Sequence, residues 1–304
     1  MKNIIAIDLG SNSLRLLKMD MKSKESLGTF HKTVKTADGL AQTGSINDDA
    51  LNRVVVALNE AKEVLDFSDS RVKAVTTEAI RQAKNGLEIL KSIAKQTGIE
   101  FEVIDGVEEA KYALKAAQNR LEHLGKTPKN FMLVDIGGGS TEMLFYYGED
   151  KYVSKSFQVG IVTLTQKYQS LDEIAKAIPL VMQTMKEYYD EVLRTYGEVE
   201  LFIATAGTPT TIAAMKKGMN YATYDPKKIH GTVLTVKDLA DNLKILMAMN
   251  KEEKVKAVGV GRDDLIASGV LIYDEIYKIS GFKESMVIDD GIREGVAFDE
   301  SSKG

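Results

Sequence analysis

An internal repeat is the feature that most constrains the fold of this 304-residue chain. Residues 2–13 match residues 129–140 at a constant offset, so that Asp8 aligns with Asp135 and Gly10 with Gly137. Each copy is a short apolar run, an aspartate, a glycine-rich turn and a second apolar run, which predicts a β-hairpin. Two such hairpins far apart in the chain predict duplicated domains of one topology. The alternative is two unrelated hairpins that share a common turn.

Between and after the two copies, strand and helix patterns alternate. Short apolar runs predict strands at 72–75, 101–104, 201–205 and 286–288. Helical spacing predicts helices over 50–65, 77–80, 87–96, 105–124 and 171–196, a helix from 209 with a long helical region to 249, and helices over 261–279 and 292–298. This order predicts an α/β fold of mixed sheets with helices on their faces. We place the domains at 1–125 and 126–304, with the last helix able to cross back to the first domain.

Composition excludes several classes of site and partner. The chain has no Cys, which removes Cys-ligated zinc and iron–sulfur sites. Its three histidines, at 31, 123 and 230, show no metal-ligand spacing. The net charge of −4 argues against nucleic-acid binding. No apolar stretch is long enough for a membrane helix, and the apolar run at the N-terminus is too short for a signal peptide. We therefore expect a cytoplasmic protein with no nucleic-acid or membrane partner.

The two glycine-rich turns have the character of phosphate-binding loops. Their small residues allow close approach of an anion to backbone N–H groups, and their hydroxyls add donors. The turn residues are Gly10, Ser11, Asn12 and Ser13 in the first copy and Gly137, Gly138, Gly139, Ser140 and Thr141 in the second. Neither continues as the P-loop of an NTPase, and Glu142 stands where a dinucleotide fingerprint needs its third glycine.

Asp8 and Asp135 precede these turns, and a pair of facing aspartates would suffice to hold a hydrated Mg²⁺ beside a polyanion. The alternative is that the two carboxylates only accept hydrogen bonds from the turn amides.

Two charged residues near predicted helix starts are further candidates. Glu108 suits a capping box with Asp105, whereas Glu109 is not needed for the cap and could orient an attacking water. From spacing alone, a solvated surface glutamate is the better interpretation of Glu109. Arg81 lies in a first helical turn, where a cation opposes the helix dipole, so an external anion would account for it.

Two more segments could contact phosphate. Gly207 and Thr208 form a strand–turn–helix junction whose amides could meet an anion. Arg262 lies at the start of the helix predicted from 261.

These motifs together resemble the exopolyphosphatase/guanosine pentaphosphate phosphohydrolase family. The resemblance covers the blocks 8–15 and 135–142 and, in order along nearly the whole chain, residues 77–85, 106–110, 206–211, 261–269 and 291–295. It implies duplicated actin/sugar-kinase/Hsp70-like (ribonuclease H-like) domains with an active-site cleft between them. It also implies Mg²⁺-dependent removal of the terminal phosphate from inorganic polyphosphate, from guanosine pentaphosphate, or from both.

The resemblance also assigns roles to residues. Glu109 becomes the general base, Asp135 and Glu142 support catalysis, and Asp8 and Asp135 support the metal. The residues implied to bind substrate phosphate are Gly10, Ser11, Asn12, Ser13, Arg15, Arg81, Gly137, Gly138, Gly139, Ser140, Thr141, Gly207, Thr208 and Arg262.

The chain departs from the family pattern at a few positions. Thr163 stands where the family often has Arg, and Lys35 and Asp38 stand where Arg and Glu are common. We also expect the chain to lack the extra C-terminal domains of the long family members.

Three matters stay open at this stage. The preferred substrate and assembly as a homodimer are undecided. The rival functions are an ATP-dependent small-molecule kinase of the same superfamily and a non-catalytic sensor of polyphosphate or an alarmone, guanosine penta- or tetraphosphate.

Overall fold

A computed structural model describes residues 1–149 and 151–303. The chain divides into two compact units, residues 1–116 with 290–304 and residues 117–289. The division passes through one long helix, and the C-terminal segment belongs to the first unit. Each unit is built on its own mixed β-sheet.

The first unit contains a five-stranded sheet in the order β3-β2-β1-β4-β5. Its strands are β1 (Asn3–Leu9), β2 (Ser13–Asp20), β3 (Ser26–Thr33), β4 (Ser70–Thr76) and β5 (Phe101–Val103). Its helices are α1 (Leu40–Thr43), α2 (Asp48–Leu65), α3 (Glu78–Gln82), α4 (Gly86–Thr97), α5 (Gly106–His123, at the division) and the C-terminal α14 (Ile292–Ser301). The central strand β1 is a continuous apolar run because it is covered on both faces.

The second unit contains a six-stranded sheet in the order β10-β11-β9-β6-β7-β8. Its strands are β6 (Phe131–Ile136), β7 (Thr141–Tyr146), β8 (Tyr152–Phe157), β9 (Phe202–Thr205), β10 (Thr232–Thr235) and β11 (Glu284–Val287). Its helices are α6 (Ile161–Lys167), α7 (Leu171–Val181), α8 (Gln183–Tyr196), α9 (Gly207–Lys216), a 3₁₀ turn (Tyr221–Thr223), α10 (Pro226–Ile229), α11 (Val236–Ala248), α12 (Lys251–Val258) and α13 (Ile266–Ser280).

The two sheets confirm the predicted duplication. In each, an antiparallel meander of three strands is followed by a strand that pairs in parallel with the first strand of the meander. A further strand of each sheet pairs in parallel with that one, β5 with β4 and β11 with β9. In the second sheet β10 comes before β11 in the chain and pairs antiparallel with it at the edge. The repeated hairpins at the start of each copy are therefore equivalent parts of equivalent sheets.

Several element predictions were wrong or incomplete. The third meander strands β3 and β8 were not predicted, and neither were α6 and α12. The helix expected over 171–196 is two helices separated at Met182, after Pro179 has removed one backbone donor from the first.

The helical region expected up to 249 contains the strand β10, because Gly231, at φ 79°, turns the chain before it. Gly259 and Gly261 adopt positive φ as well, so the helix expected from 261 begins only at Ile266.

Candidate functional site

The candidate residues of the first unit leave one edge of its sheet. Leu9 pairs with Thr76 and Thr76 with Val103, so β1, β4 and β5 end side by side. The first glycine-rich loop follows β1, the helix of Arg81 follows β4, and the helix of Glu109 follows β5. The carboxyl ends of parallel strands are where α/β sheets bind ligands, so the topology brings these three segments to one location.

The first loop is held in place mainly through its backbone carbonyl groups. Gly10 N–H donates to the Ser13 carbonyl at 3.0 Å and closes the turn. The Asn12 carbonyl accepts from the N–H groups of Val34 and Lys35, both at 2.9 Å. With its carbonyls used in this way, the loop can present N–H groups to an anion. Ser11 and Asn12 are buried.

Arg53, a residue that no sequence motif singles out, supports the segment that holds this loop. Its guanidinium donates to the carbonyls of Val34 and Lys35, at 2.8 and 3.2 Å, and to Asp38 at 3.3 Å. Lys35 itself adopts a left-handed φ of 50°. Two of the three positions that depart from the family pattern, 35 and 38, thus lie in the segment that braces the first loop.

The second loop repeats the same construction. Gly137 N–H donates to the Ser140 carbonyl at 2.9 Å, and the carbonyls of Gly137 and Gly138 accept from Ile161 and Val162, at 3.1 and 2.8 Å. A Cβ at Gly137 would lie 2.8 Å from the Ser140 oxygen, so the turn closes this tightly only with glycine. The first turn of α6 therefore anchors the loop.

Gly160 brings α6 against the loop. A Cβ at this position would lie 2.3 Å from the Gly138 oxygen, too close for any other residue without movement of backbone. The Thr163 hydroxyl accepts from Gly160 N–H at 2.8 Å and donates to the Gly160 carbonyl at 2.9 Å. Thr163, which stands where the family often has Arg, thus caps α6.

Two carboxylates face each other across the second hairpin. Asp135 pairs with Glu142 in the β6–β7 register, whereas in the first hairpin Asp8 pairs with Arg15. Like charges directly opposite each other destabilise a strand pair, and a cation bound beside them would remove that penalty. One oxygen of Glu142 accepts from the hydroxyls of Ser140 and Ser156, both at 2.7 Å. These bonds fix the direction of a buried side chain.

A Mg²⁺ ion fits this donor set, because it usually keeps several waters and takes only one or two protein carboxylates. Within residues 1–149 and 151–303, no three or more His, Cys, Asp or Glu side chains are grouped to hold a metal.

Glu109 is not the solvated surface residue that spacing favours. It is 4% exposed in the first turn of α5, and one of its oxygens accepts from the Arg81 guanidinium at 2.8 Å. Asp105 caps the helix by accepting from the N–H groups of Val107 and Glu108, both at 2.9 Å. Glu108 completes the predicted capping box with a long bond of 3.4 Å to Asp105 N–H. Glu109 is therefore placed by α5 without taking part in its cap.

Arg81 finds its anions inside the chain. It contacts Glu109, the carboxylate of Glu78 and the Ile104 carbonyl. Burial works against the charge of Arg81, but the hydrogen bonds and Coulombic attraction of Glu109 and Glu78 outweigh it and raise its pKa. Two carboxylates of the chain itself thus balance Arg81, and its contact with an external anion stays a prediction. About a quarter of its side chain stays exposed, so the guanidinium can also reach a ligand.

The junction of β9 and α9 lies at the matching edge of the second sheet, because Asp135 pairs with Thr205. Ala206 adopts φ 73°, which is strained for a residue with a Cβ. The Thr208 hydroxyl is buried and packs against α13, where a Cβ at Gly269 would lie 2.1 Å from it. The backbone of Gly207 and Thr208, rather than that hydroxyl, suits the predicted contact with phosphate.

Arg262 lies in the turn before α13. Its N–H donates to the Gly259 carbonyl at 3.3 Å, and its carbonyl accepts from Leu265 at 3.0 Å. Asp263 accepts from Gly261 N–H at 3.0 Å instead of standing in a helical first turn as predicted. Arg262 is therefore presented by a loop.

The repeated meander, the parallel strands and the loops at their carboxyl ends place this chain in the actin/sugar-kinase/Hsp70-like fold class. The family model described as "Ppx/GppA phosphatase family" matches residues 19–303. The chain belongs to that family, as the sequence motifs predict.

Three relatives illustrate the similarity. Exopolyphosphatase 2 of Mycobacterium tuberculosis is 30% identical over 321 aligned residues that cover 97% of each chain. The crystal structure of the Aquifex aeolicus Ppx/GppA family member covers 99% of this chain and 98% of its own, at 29% identity and a TM-score of 0.74. An exopolyphosphatase structure from Cytophaga hutchinsonii has a TM-score of 0.86 at 22% identity, over 99% of this chain and 98% of its own, and supports the fold.

No helix in the described part of the chain combines the length and apolar character needed to cross a bilayer.

Proposed function

We propose that this chain releases the terminal phosphate from inorganic polyphosphate, guanosine pentaphosphate or both, by attack of a water molecule that Glu109 orients. Membership of the Ppx/GppA phosphatase family and the exopolyphosphatase names of its relatives support the substrate class. The observation that carries the proposal is the position of Glu109. It is a buried carboxylate at the same sheet edge as a phosphate-type loop, held by a cation that is itself partly exposed.

The loops supply the binding of the substrate. Phosphoryl transfer needs little covalent help from a protein, so positioning and charge neutralisation carry most of the catalysis. In each unit the loop carbonyls are bonded to neighbouring backbone, and we propose that the loop N–H groups bind phosphate oxygens. Arg15, Arg262 and the backbone of Gly207 and Thr208 are proposed to add further contacts.

Arg81 is proposed to have two roles. Its contact with Glu109 holds the side chain of the candidate base in place, and its exposed part can bind a phosphate oxygen. Glu109 would accept a proton from the water as the water oxygen bonds to the terminal phosphorus. The bond from that phosphorus to the bridging oxygen would break in line, so that the shortened substrate leaves.

Asp135 and Glu142 are the proposed donors for Mg²⁺ in the second unit. Asp8, which is opposite Arg15 in the strand register, is the matching candidate donor in the first unit. When bound, the ion would neutralise charge on the phosphate oxygens. Ser140 and Ser156 hold Glu142 for that purpose.

The test compares Glu109→Gln with Glu108→Gln. Both changes remove one negative charge from the first turn of α5, and glutamine at 108 can keep the capping box. Phosphate release would be measured with inorganic polyphosphate and with guanosine pentaphosphate, each with and without Mg²⁺. We expect Glu109→Gln to lose about 10²–10⁴-fold in kcat and Glu108→Gln to keep wild-type turnover. If Glu109→Gln releases phosphate at the wild-type rate, the assignment of Glu109 as the base is refuted. If the wild-type chain releases phosphate from neither substrate, the non-catalytic sensor is favoured instead.

A further inference from the structure

Gly295 of the C-terminal helix α14 lies in close backbone contact with α5, the helix of the candidate base. A Cβ built on Gly295 would lie 2.0 Å from the backbone carbonyl oxygen of Tyr112, 2.5 Å from its carbonyl carbon and 2.7 Å from its Cα. Real Cβ atoms essentially never come within 3.0 Å of such atoms. All three contacts are with backbone, which cannot rotate away as a side chain can. Any other residue at 295 must therefore separate α14 and α5.

The contact lies one helical turn from Glu109. Residues three apart in an α-helix lie on neighbouring positions of one face, and Tyr112 follows Glu109 by three. The Tyr112 backbone that Gly295 contacts is thus part of the first two turns of α5. A movement of this backbone would carry the Glu109 carboxylate with it.

The far side of α14 is firmly attached to the sheet of the same unit. Val296 and Ala297 are fully buried in a core cluster with Ile4 and Ala6 of β1. At the end of α14 the buried Glu300 pairs with Arg71 of β4 at 2.8 Å. Tyr112 of α5 belongs to the same cluster, so added volume at Gly295 acts on the packing between α14 and α5.

The Glu109 carboxylate has a partner on a different element. Arg81 belongs to α3, which follows β4, whereas Glu109 belongs to α5, which follows β5. A displacement of α5 would therefore change the position of Glu109 relative to Arg81 and to any phosphate bound at the loop after β1.

We propose that Gly295 is a positioning residue for Glu109: the missing side chain lets α14 set the place of α5, and hence of the candidate base. The inference rests on the proposed function. A Cβ at 295 needs about an ångström or more of extra separation, and misplacement of about 1 Å can cost on the order of 10²-fold in rate. We expect Gly295→Ala to lower kcat by about that factor, while KM stays within about twofold because the phosphate loops are not moved.

The control is Gly98→Ala at the end of α4. Gly98 has φ 70°, and a Cβ there meets no atom within 4 Å. This change introduces backbone strain in the same unit without a new contact. It should lower the melting temperature and leave kcat unchanged, which separates loss of stability from loss of positioning.

The deciding measurement is a double-mutant cycle with Glu109→Gln, using phosphate release from inorganic polyphosphate and guanosine pentaphosphate. If Gly295 acts through Glu109, Gly295→Ala should cause no further loss in the Glu109→Gln background. An equal loss in both backgrounds, an unchanged kcat in Gly295→Ala, or a change confined to KM would overturn the positioning role. Wild-type turnover by Glu109→Gln would instead refute the proposed base.

A second variant covers the case in which Gly295→Ala does not fold. Arg71→Met removes the ion pair of Glu300 with β4 and adds no volume at the crossing. We expect a loss in kcat of roughly tenfold or less, again absent in the Glu109→Gln background. Faster amide exchange in α14 would show that this helix is loosened in the folded Arg71→Met chain. If kcat is nevertheless unchanged in that chain, the result counts against the proposal.

Discussion

Asp299 in α14 offers a stability test that follows from its surroundings. It is 5% exposed and accepts hydrogen bonds from Lys115 of α5 and from Lys303, the latter at 2.7 Å. Burial alone would raise its pKa, but the bonds and charges of the two lysines outweigh burial and lower the pKa to about 2 from an ordinary 3.8. The carboxylate form is therefore stabilised in the folded chain.

The size of the effect follows from the difference between these two pKa values. One whole pKa unit corresponds to about 1.4 kcal/mol, so the ionised Asp299 contributes about 2 kcal/mol to the free energy of unfolding at neutral pH. Because the folded pKa is the lower one, the contribution is complete above about pH 5. It is lost as the pH falls from 3.8 toward 2, and about 1 kcal/mol remains at pH 3.

The assay is urea unfolding of the wild type and of Asp299→Asn between pH 3 and pH 7. The difference in unfolding free energy should be about 2 kcal/mol at pH 7 and should shrink by about half at pH 3. The exposed ion pair of Lys186 with Asp190 gives the control, because Asp190→Asn should cost less than about 1 kcal/mol. A difference for Asp299→Asn that stays constant over this pH range would refute the reasoning.

Two further predictions concern the site itself. Gly160→Ala should displace the second loop, because the new Cβ would lie 2.3 Å from the Gly138 carbonyl oxygen. Thermal unfolding should show a loss of about 1–3 kcal/mol in the free energy of unfolding, and phosphate-release kinetics should show a raised KM. Wild-type kinetics would contradict the anchoring role of Gly160. Arg81→Met should remove the cation from beside Glu78 and Glu109 and lower the free energy of unfolding, measured in urea, by about 3 kcal/mol. This value is at the low end of the cost of breaking a buried ion pair because part of Arg81 is exposed. A loss below about 1 kcal/mol would mean that other groups already balance these carboxylates.

Local patterns made much of the fold predictable. The repeated aspartate and glycine positions gave two equivalent hairpins, and the register confirms that Asp8 and Asp135 occupy matching places. Asp105 and the spacing of Glu108 gave the start of α5 within one residue. These features depend on neighbours within a few positions, which is the range over which sequence patterns act.

The burial of Glu109 could not be obtained in the same way. It depends on Arg81, which lies on another element, and the pairing of β1, β4 and β5 brings the two together. The edge strands β3 and β8 were missed because they are only partly buried and lack a clear apolar alternation. The roles of Arg53 and Gly160 rest on contacts with backbone from distant segments, and such contacts leave no pattern near the residue itself.

The support of both loops by main-chain atoms has a consequence for how this protein can change. Val34 and Lys35 hold the Asn12 carbonyl through N–H groups that almost every residue type possesses, as do Ile161 and Val162 at the second loop. Side chains at such positions can therefore be exchanged, and the charge around a bound anion altered, while the shape that receives the anion is kept. At the proposed phosphate site Lys35 is such a position, since only its N–H holds the Asn12 carbonyl. Thr163 is not, because its hydroxyl caps α6 and a replacement would have to keep that cap.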